Sequence, residues 1–217
     1  QHSINFTTEY EDGDTIVSPL IFSLEGKSHD ILATERLLLN ILSHLSGIST
    51  HTNKIVRIAK KVNPNVEILA TRKTLPGLRD IEKRAVVHGG GATHRMRLDD
   101  AILIKDNHLK LSKNIKKSIE ISRSKYPNLM VEVEADNEQQ AIEIAKNGAD
   151  RVMLDNFSPD EATATIRKLR EISDIEIEIS GGVTIENIAS YAKKADFISL
   201  GSLTMSSLPV DFSLHVL

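Results

Sequence analysis

The spacing of apolar residues changes twice along the chain. Residues 1 to about 32 alternate polar and apolar positions around the acidic turn Glu11-Asp12-Gly13-Asp14, which predicts a small β-sheet. From Ala33 the apolar residues recur with a helical period as far as Gly47, and a second helix is predicted to follow and to end at Val62. The first part of the chain is therefore predicted to be α+β.

A strand-and-helix alternation begins after Asn65. Ser158-Pro159-Asp160-Glu161 combines an N-cap, a helix-initiating proline and a capping-box glutamate, and Thr184 is predicted to cap a helix over 185–194. This alternation predicts a parallel sheet, and the number of units favours a closed or nearly closed α/β barrel over an open sheet. The predicted strands are the short apolar runs at 66–69, 101–104, 129–131, 151–154, 175–179 and 197–200.

Charged residues and glycines follow the predicted strands where each strand ends. In α/β barrels these ends meet at one mouth, which carries the reactive groups. Carboxylates there accept sugar hydroxyls, hold Mg²⁺ with substrate phosphates or stabilise a developing positive charge. Glycine turns let backbone N–H groups approach a phosphate, although glycine is also an ordinary way to leave a strand. The strand ends deliver Arg72, Lys73, Lys105, Glu134, Asp155, Ser180, Gly181, Gly182, Gly201 and Ser202.

Two loops add further cations. The segment 71–77 places Arg72 beside Lys73 before a Pro-Gly turn, and a run of three glycines from Gly89 ends in His94-Arg95. Guanidinium groups bind carboxylates with two hydrogen bonds, whereas ammonium groups act as point charges on phosphate. A single histidine is most often structural, but its place beside Arg95 favours a ligand contact. The glycine run lacks the Gly-Lys-Ser/Thr ending of a P-loop.

Composition narrows the kinds of ligand. The chain has 217 residues, 40% of them hydrophobic, and no cysteine, which fits one or two globular domains and excludes thiolate nucleophiles and Cys-ligated metals. Net charge is −3, but residues 50–109 hold twelve Lys+Arg and six Asp+Glu. Aromatic residues are 4% of the chain and are not interleaved with the basic residues, so a small anionic substrate fits better than nucleic acid. No apolar run is long enough for a membrane helix.

With these residues in place, the chain resembles the quinolinate phosphoribosyltransferase family. The likeness runs from about Asp12 to Val216, and many blocks in one order are more specific than any single motif. The blocks are Glu35–Asn40, Leu45–Ile48, Thr71–Arg79, Glu82-Lys83, Gly89–Gly91, His94-Arg95, Leu103–His108, Val131–Glu134, Leu154–Phe157, Ser180–Gly182 and Gly201–Thr204.

The resemblance implies an incomplete, TIM-like parallel α/β barrel preceded by a smaller, sandwich-like α+β domain. On this basis residues 1–48 are the remainder of the N-terminal domain with its linking helix, and residues 49–217 form the barrel domain, whose C-terminal segment packs back on the N-terminal domain. A further segment is expected before residue 1. The family likeness also implies a cytoplasmic homodimer, with a higher oligomer left open, in which the active site is shared between subunits.

The resemblance further implies transfer of a phosphoribosyl group from phosphoribosyl pyrophosphate to quinolinate, with Mg²⁺ and with release of pyrophosphate and CO₂. The implied quinolinate-binding residues are Thr71, Arg72, His94, Arg95 and, from the neighbouring subunit, Arg36. The implied catalytic residues are Lys105, Glu134 and Asp155. These three are also expected to bind phosphoribosyl pyrophosphate, together with Lys73, Ser180, Gly181, Gly182, Gly201 and Ser202, and the two carboxylates are expected to meet Mg²⁺ through the substrate.

Two other functions stay open at this point. One is a related barrel phosphoribosyltransferase that acts on nicotinate or another anionic acceptor, which would need no second carboxylate on its substrate. The other is a non-catalytic, phosphate-binding barrel, which would bind ligand without turnover. Two departures from the family pattern also stand out: Ala70 replaces a common Asp, and Arg97 replaces a usual Gly.

Overall fold

A computed structural model describes residues 4–216 of the chain. The N-terminal elements are β1 (Ile4–Thr7), β2 (Ser23–Gly26) and the long helix α1 (Ser28–Val62). The elements that follow are β3 (Glu67–Ala70), α2 (Arg79–His88), β4 (Ile102–Ile104), α3 (Asp106–Ser112), α4 (Ile115–Lys125), β5 (Val131–Ala135), α5 (Glu138–Lys146), β6 (Arg151–Asp155), α6 (Pro159–Ile172), β7 (Glu176–Ser180), α7 (Ile188–Ala192), β8 (Phe197–Leu200) and α8 (Ser202–Met205). None of the helices in this described part is long and apolar enough to cross a membrane.

Strands β3 to β8 form one parallel sheet in the order β3-β8-β7-β6-β5-β4. The predicted parallel α/β architecture is confirmed, and all six predicted strands are present. Strands β3 and β4 stand at the two edges of the sheet, so the barrel is incomplete on that side. The segment that joins α2 to β4 lies along the open edge of β3, where the backbone N–H of Ala92 donates to Ile68 O and the backbone N–H of Ala70 donates to Ala92 O.

The strands are buried on both faces, but the two faces differ in polarity. Side chains that point outward are mostly aliphatic and join one continuous hydrophobic core with the helices. Side chains that point inward include Glu132 and Glu178, both with no exposed surface. Arg151 donates to Glu178 over 3.3 Å, and its guanidinium lies 3.7 Å from the ring centre of Phe197. Buried charges are retained only when they are paired, so the barrel interior is a polar network.

Helix α1 differs from the prediction of two helices separated at Gly47. It is a single helix of 35 residues that passes through Gly47 without a break. A β-carbon at Gly47 would lie 2.2 Å from Leu208 O, and the backbone N–H of Val210 donates to Ser43 O. The glycine therefore serves the close approach of the C-terminal segment and does not end a helix. Because α1 crosses residue 48, the domain boundary stays a prediction.

Two other local predictions have different outcomes. The capping box at Ser158 is confirmed, because the Ser158 hydroxyl accepts from the Glu161 N–H while the Glu161 carboxylate accepts from the Ser158 N–H. The helix predicted over 185–194 is shorter and spans Ile188–Ala192. In the predicted N-terminal sheet, β1 and β2 pair antiparallel, while the segment between them carries no strand; residues 1–3 lie outside the described part.

The contact at Gly47 yields a prediction whose sign is opposite to that expected from helix propensity. In an open helix, Gly→Ala stabilises by about 1 kcal/mol. Here we expect Gly47→Ala to lower the free energy of unfolding by about 1–3 kcal/mol, because the new methyl group overlaps the Leu208 carbonyl. Urea unfolding measures the change, and Asn40→Ala, at an exposed site of the same helix, is the control. A more stable Gly47→Ala variant would contradict this packing.

Candidate active site

The ends of β3 and β8 meet at the barrel mouth. Lys73 follows β3, and its backbone carbonyl accepts a hydrogen bond from Thr204 Oγ1 over 2.5 Å. A β-carbon at Gly201 would lie 2.9 Å from Lys73 Cδ and 3.7 Å from Thr71 Oγ1. The absence of a side chain at Gly201 therefore leaves room for the lysine stem. Of the predicted residues, this corner gathers Thr71, Lys73, Gly201 and Ser202.

A cation and two carboxylates lie on the next side of the mouth. Lys105 Nζ donates to Glu134 Oε2 over 2.7 Å, and the Glu134 side chain is almost fully buried. His108 holds the backbone of Lys105 in place, because its Nδ1 accepts the Lys105 N–H at the start of α3. Burial and then the charge of Glu134 raise the pKa of Asp155, while Lys105 and Lys73 act in the opposite direction. The predicted catalytic residues therefore lie close together, and the charges of Glu134 and Lys105 both act on the Asp155 carboxyl.

Asn156 is a residue of this site that the sequence reasoning missed. Its amide Nδ2 donates to Asp155 Oδ2 over 2.6 Å, and its backbone N–H donates to Ser180 O. A β-carbon at Gly181 would lie 2.2 Å from Asn156 Oδ1, and Gly181 has a φ of +79°. Gly181 thus makes room for Asn156, and Asn156 orients the Asp155 carboxylate. A signal was available, since asparagine adopts left-handed backbone readily and Asn156 has a φ of +60°.

Several cations are gathered on the two loops beside the mouth, at 71–79 and 93–97. Arg79 donates to Thr74 Oγ1 over 3.2 Å and to the carbonyls of Arg72 and Met96, each over 3.4 Å, so it links the two cationic loops. Burial and then the charge of Arg72 lower the pKa of Arg95. Such a lowering records two guanidinium groups held close together. Arg97, the residue that departs from the family pattern, has its backbone N–H accepted by Asp100 over 2.9 Å.

Helix α2 turns two adjacent charged residues inward, and both were missed as functional candidates. Lys83 is fully buried, and its Nζ donates to the carbonyls of Thr93 and Arg95 over 2.5 and 2.6 Å. Burial, followed by the charges of Arg79 and Arg72, lowers the pKa of Lys83 to about 8. Glu82 is also fully buried and accepts from the Leu75 N–H and from His44. Together they fix both cationic loops to one helix.

His94 lies beneath these loops, inside the barrel. Its Nε2 is 3.1 Å from Glu132 Oε2 and 3.2 Å from Glu178 Oε2, and its Nδ1 accepts from the Arg95 N–H over 2.7 Å. Burial opposes a charge on the ring, but the two carboxylates outweigh it and raise the pKa of His94 to about 9. The hydrogen bond that Nδ1 accepts from the Arg95 N–H acts in the opposite direction, because it disfavours a proton on Nδ1. In either protonation state Nε2 carries a hydrogen that faces both carboxylates, so the ring keeps its place.

Two groups of side chains place possible cation ligands close together. His94, Glu132 and Glu178 offer atoms within 4.8 Å of one another. However, a protonated Nε2 has no lone pair for a metal, and Arg151 already neutralises Glu178. Glu134 and Asp155 at the mouth are hard oxygen donors of the kind that Mg²⁺ prefers when it also binds substrate phosphates. The crowding of these two carboxylates, seen in the raised pKa of Asp155, fits a cation beside them.

The remaining predicted residues lie in two different places. Ser180, Gly181 and Gly182 form the turn after β7, at the same end of the sheet as Asp155, which pairs with Ser180 across the ladder. Arg36 is exposed on α1, and that helix packs against the outside of the barrel through α2 and α7. The structure of one chain therefore brings the predicted residues other than Arg36 to the mouth or directly beneath it. Their binding roles stay predictions.

Comparison with known proteins supplies independent information. Residues 48–215 match the family model described as quinolinate phosphoribosyl transferase, C-terminal domain. The chain is 44% identical over 212 residues to a probable carboxylating nicotinate-nucleotide pyrophosphorylase of Archaeoglobus fulgidus, covering 95% of this chain and 81% of the relative. It is 36% identical over 200 residues to the human carboxylating nicotinate-nucleotide pyrophosphorylase, covering 90% of this chain and 67% of that protein.

A solved structure shows the same architecture. The nicotinate-nucleotide pyrophosphorylase from Francisella tularensis superposes with a TM-score of 0.89 at 36% identity, covering 96% of this chain and 74% of that one.

The buried position of Lys83 predicts a specific pH dependence. Because its pKa is about 8 in the folded protein and near 10.5 when unfolded, the folded state binds fewer protons between these values, and stability rises with pH in that window. We expect the unfolding free energy of the wild type, relative to Lys83→Met, to increase by roughly 3 kcal/mol between pH 7.5 and 10.5.

Urea titrations across this pH range measure that difference, and Lys61→Met on the exposed face of α1 is the control. A difference between wild type and Lys83→Met that stays constant with pH would show that Lys83 keeps an ordinary pKa.

Proposed function

The chain belongs to the quinolinate phosphoribosyltransferase family, and we propose that it transfers the phosphoribosyl group of phosphoribosyl pyrophosphate to quinolinate, releasing pyrophosphate and CO₂ and forming nicotinate mononucleotide. The observation that supports this most directly is the presence of two charged groups at the strand ends and on the loops beside them. Lys105, Glu134 and Asp155 form one group, and Arg72, Arg79 and Arg95 form the other. Such a mouth suits an acceptor with two carboxylates and a donor that becomes cationic.

The arginine side binds the acceptor. Quinolinate carries two adjacent carboxylates, and Arg72 lies close enough for its charge to help lower the pKa of Arg95, after the larger effect of burial. A dianion relieves that repulsion and accepts paired hydrogen bonds from the guanidinium groups. Thr71, next to Arg72, contributes a hydroxyl donor. The acceptor is thereby oriented with its ring nitrogen toward the sugar.

The carboxylate side serves the transfer step. As pyrophosphate departs from C1′ of the ribose, that carbon becomes positively charged, and Glu134 and Asp155 stabilise it. Lys105 and Lys73 stabilise the departing pyrophosphate, while the turns at Ser180–Gly182 and Gly201–Ser202 present backbone N–H groups to the 5′-phosphate. The ring nitrogen of quinolinate then forms the bond to C1′.

Mg²⁺ is the cation expected with phosphoribosyl pyrophosphate, and when bound it neutralises phosphate charge as the pyrophosphate leaves. Glu134 and Asp155 would hold it together with the ribose and phosphate oxygens. Lys105 donates to one oxygen of Glu134 and Asn156 donates to one oxygen of Asp155, which leaves the second oxygen of each carboxylate for this purpose.

Decarboxylation needs no covalent bond to the protein. The new pyridinium nitrogen withdraws electrons from the adjacent carbon, so the C–CO₂⁻ bond can break with its electron pair retained on the ring carbon. A proton from solvent then fills that position. The absence of cysteine from the sequence agrees with a mechanism that uses no thiolate nucleophile.

We also propose that the active site is completed by a second subunit. Arg36 is exposed, as are Leu37 and Ile41 on the same helix turns, and the latter two are apolar. A homodimer that covers this face would carry Arg36 of one chain to the acceptor side of its partner's mouth. The cytoplasm, where small phosphorylated substrates are found, is the location that we propose for this dimer.

The activity is tested by supplying the purified protein with phosphoribosyl pyrophosphate, Mg²⁺ and either quinolinate or nicotinate, and by measuring CO₂ and mononucleotide. We expect turnover of quinolinate, and loss of turnover by several orders of magnitude in Lys105→Ala and Glu134→Ala, because each removes a charge that acts on the transition state.

Lys116→Ala, which removes an exposed lysine paired with Glu120 on α4, is the matched control and should keep wild-type rates. Turnover of nicotinate alone would assign the chain to the alternative acceptor, and ligand binding without any product would identify a non-catalytic barrel.

Sharing of the site is tested by subunit mixing. Arg36→Ala and Arg72→Ala homodimers should each be inactive, whereas a mixed population should regain about a quarter of wild-type activity, because half of its dimers carry one intact site. Steady-state rates before and after mixing measure the recovery. If the mixture stays inactive while exchange of subunits is verified by mass, Arg36 acts within its own chain or not at all.

A further inference from the structure

The turn formed by residues 93–95 is held from two sides by groups that no substrate can reach. On the helix side, buried Lys83 donates to the carbonyls of Thr93 and Arg95 over 2.5 and 2.6 Å. On the barrel side, the imidazole of His94 faces the carboxylates of Glu132 and Glu178 at 3.1 and 3.2 Å. Lys83, Glu132 and Glu178 each have no exposed surface.

The turn itself is strained. His94 has a φ of +46°, a left-handed conformation that side chains other than glycine adopt at a cost. Such a conformation persists only where surrounding contacts enforce it. The imidazole contacts and the Lys83 hydrogen bonds are those contacts, and they act on the residue directly before Arg95.

The turn also has to withstand electrostatic repulsion. Arg95 lies near Arg72 and Lys83, and Arg79 bridges the carbonyls of Arg72 and Met96. If the contacts of Lys83 and His94 were absent, repulsion between the arginines would move the two loops apart. The acceptor would then have to gather the arginines as it bound, and its affinity would be lower by the cost of doing so.

We propose that Lys83 and His94, with Glu132 and Glu178 behind the imidazole, are positioning residues that hold Arg95 close to Arg72 before the acceptor arrives, and that this spacing selects an acceptor with two adjacent carboxylates over one with a single carboxylate. The proposal rests on the proposed function. A dicarboxylate satisfies both guanidinium groups at once, whereas a monocarboxylate leaves one of them beside an unrelieved like charge. Selectivity thus depends in part on Lys83, Glu132 and Glu178, which are buried away from the ligand.

The proposal is tested with Glu178→Gln and Lys83→Met, which preserve side-chain length while removing a charge. We expect the KM for quinolinate to rise by about tenfold or more, and the KM for phosphoribosyl pyrophosphate to stay within about twofold, because Lys105 pairs with Glu134 and not with Lys83 or Glu178. Calorimetric affinities for quinolinate and nicotinate should converge, since only the dicarboxylate uses the fixed spacing.

Glu176→Gln is the matched control, because it lies two residues before Glu178 on β7 and contacts Arg151 at the other end of the strand. It should leave both KM values unchanged. If the wild type releases no CO₂ from quinolinate, the proposed function fails. If the wild type is active but both KM values rise together, or neither rises, the positioning role is overturned.

A measurement on the wild type decides the matter even if the variants do not fold. Hydrogen exchange of the amides of Met96 and Arg97, which both donate to the Asp100 carboxylate, reports whether the turn exists without ligand. We expect strong protection in the free protein and little change on adding quinolinate. Protection that appears only with quinolinate would mean that the acceptor forms the turn, and it would refute the proposal.

Discussion

Side chains of like charge are crowded together on one side of this barrel mouth, and much of the surrounding structure serves to keep them there. The charge of Arg72 acts against the charges of Arg95 and of buried Lys83, in addition to the effect of burial. Backbone carbonyls, the linking guanidinium of Arg79 and a polar barrel interior supply the compensating contacts. The carboxylates of Glu134 and Asp155 form a second, complementary group at the strand ends. The mouth is thus polarised before any ligand enters it, which is the condition for stabilising opposite charges that develop in one reaction.

The barrel and the residues at its strand ends could be predicted from the sequence. Short apolar runs that alternate with helical segments have few folding solutions, and strand ends in such folds converge. Lys105, Glu134 and Asp155 each follow such a run directly, so their grouping required only the topology. Asn156 escaped notice because its role depends on a left-handed backbone and on the space left by Gly181, and neither is visible in a hydrophobic pattern.

The supporting residues could not be predicted because their positions resemble solvent-exposed ones. Glu82 and Lys83 are adjacent charges within an amphipathic helix, a pattern that normally marks a solvated face. Glu132 and Glu178 alternate with aliphatic residues on β5 and β7, as on a half-exposed strand, yet parallel strands with helices outside have no exposed face. A glutamate on a strand that the topology buries on both faces therefore indicates a buried, paired carboxylate. The prediction of a helix end at Gly47 was wrong for a related reason. Its close contact is with a segment about 160 residues away in sequence, and a local sequence pattern does not show such contacts.

The open side of the barrel has a consequence for how this fold can diverge. The segment between α2 and β4 lies against β3 there and is not a strand of the main ladder, and it carries His94 and Arg95. Glu134 and Asp155 are instead attached to β5 and β6, which are each paired with a neighbour on both sides. Insertions or replacements in the segment would alter the part of the mouth beside Arg95 without shifting the register of these inner strands. A barrel of this kind can therefore vary its acceptor side while its two central carboxylates keep their spacing.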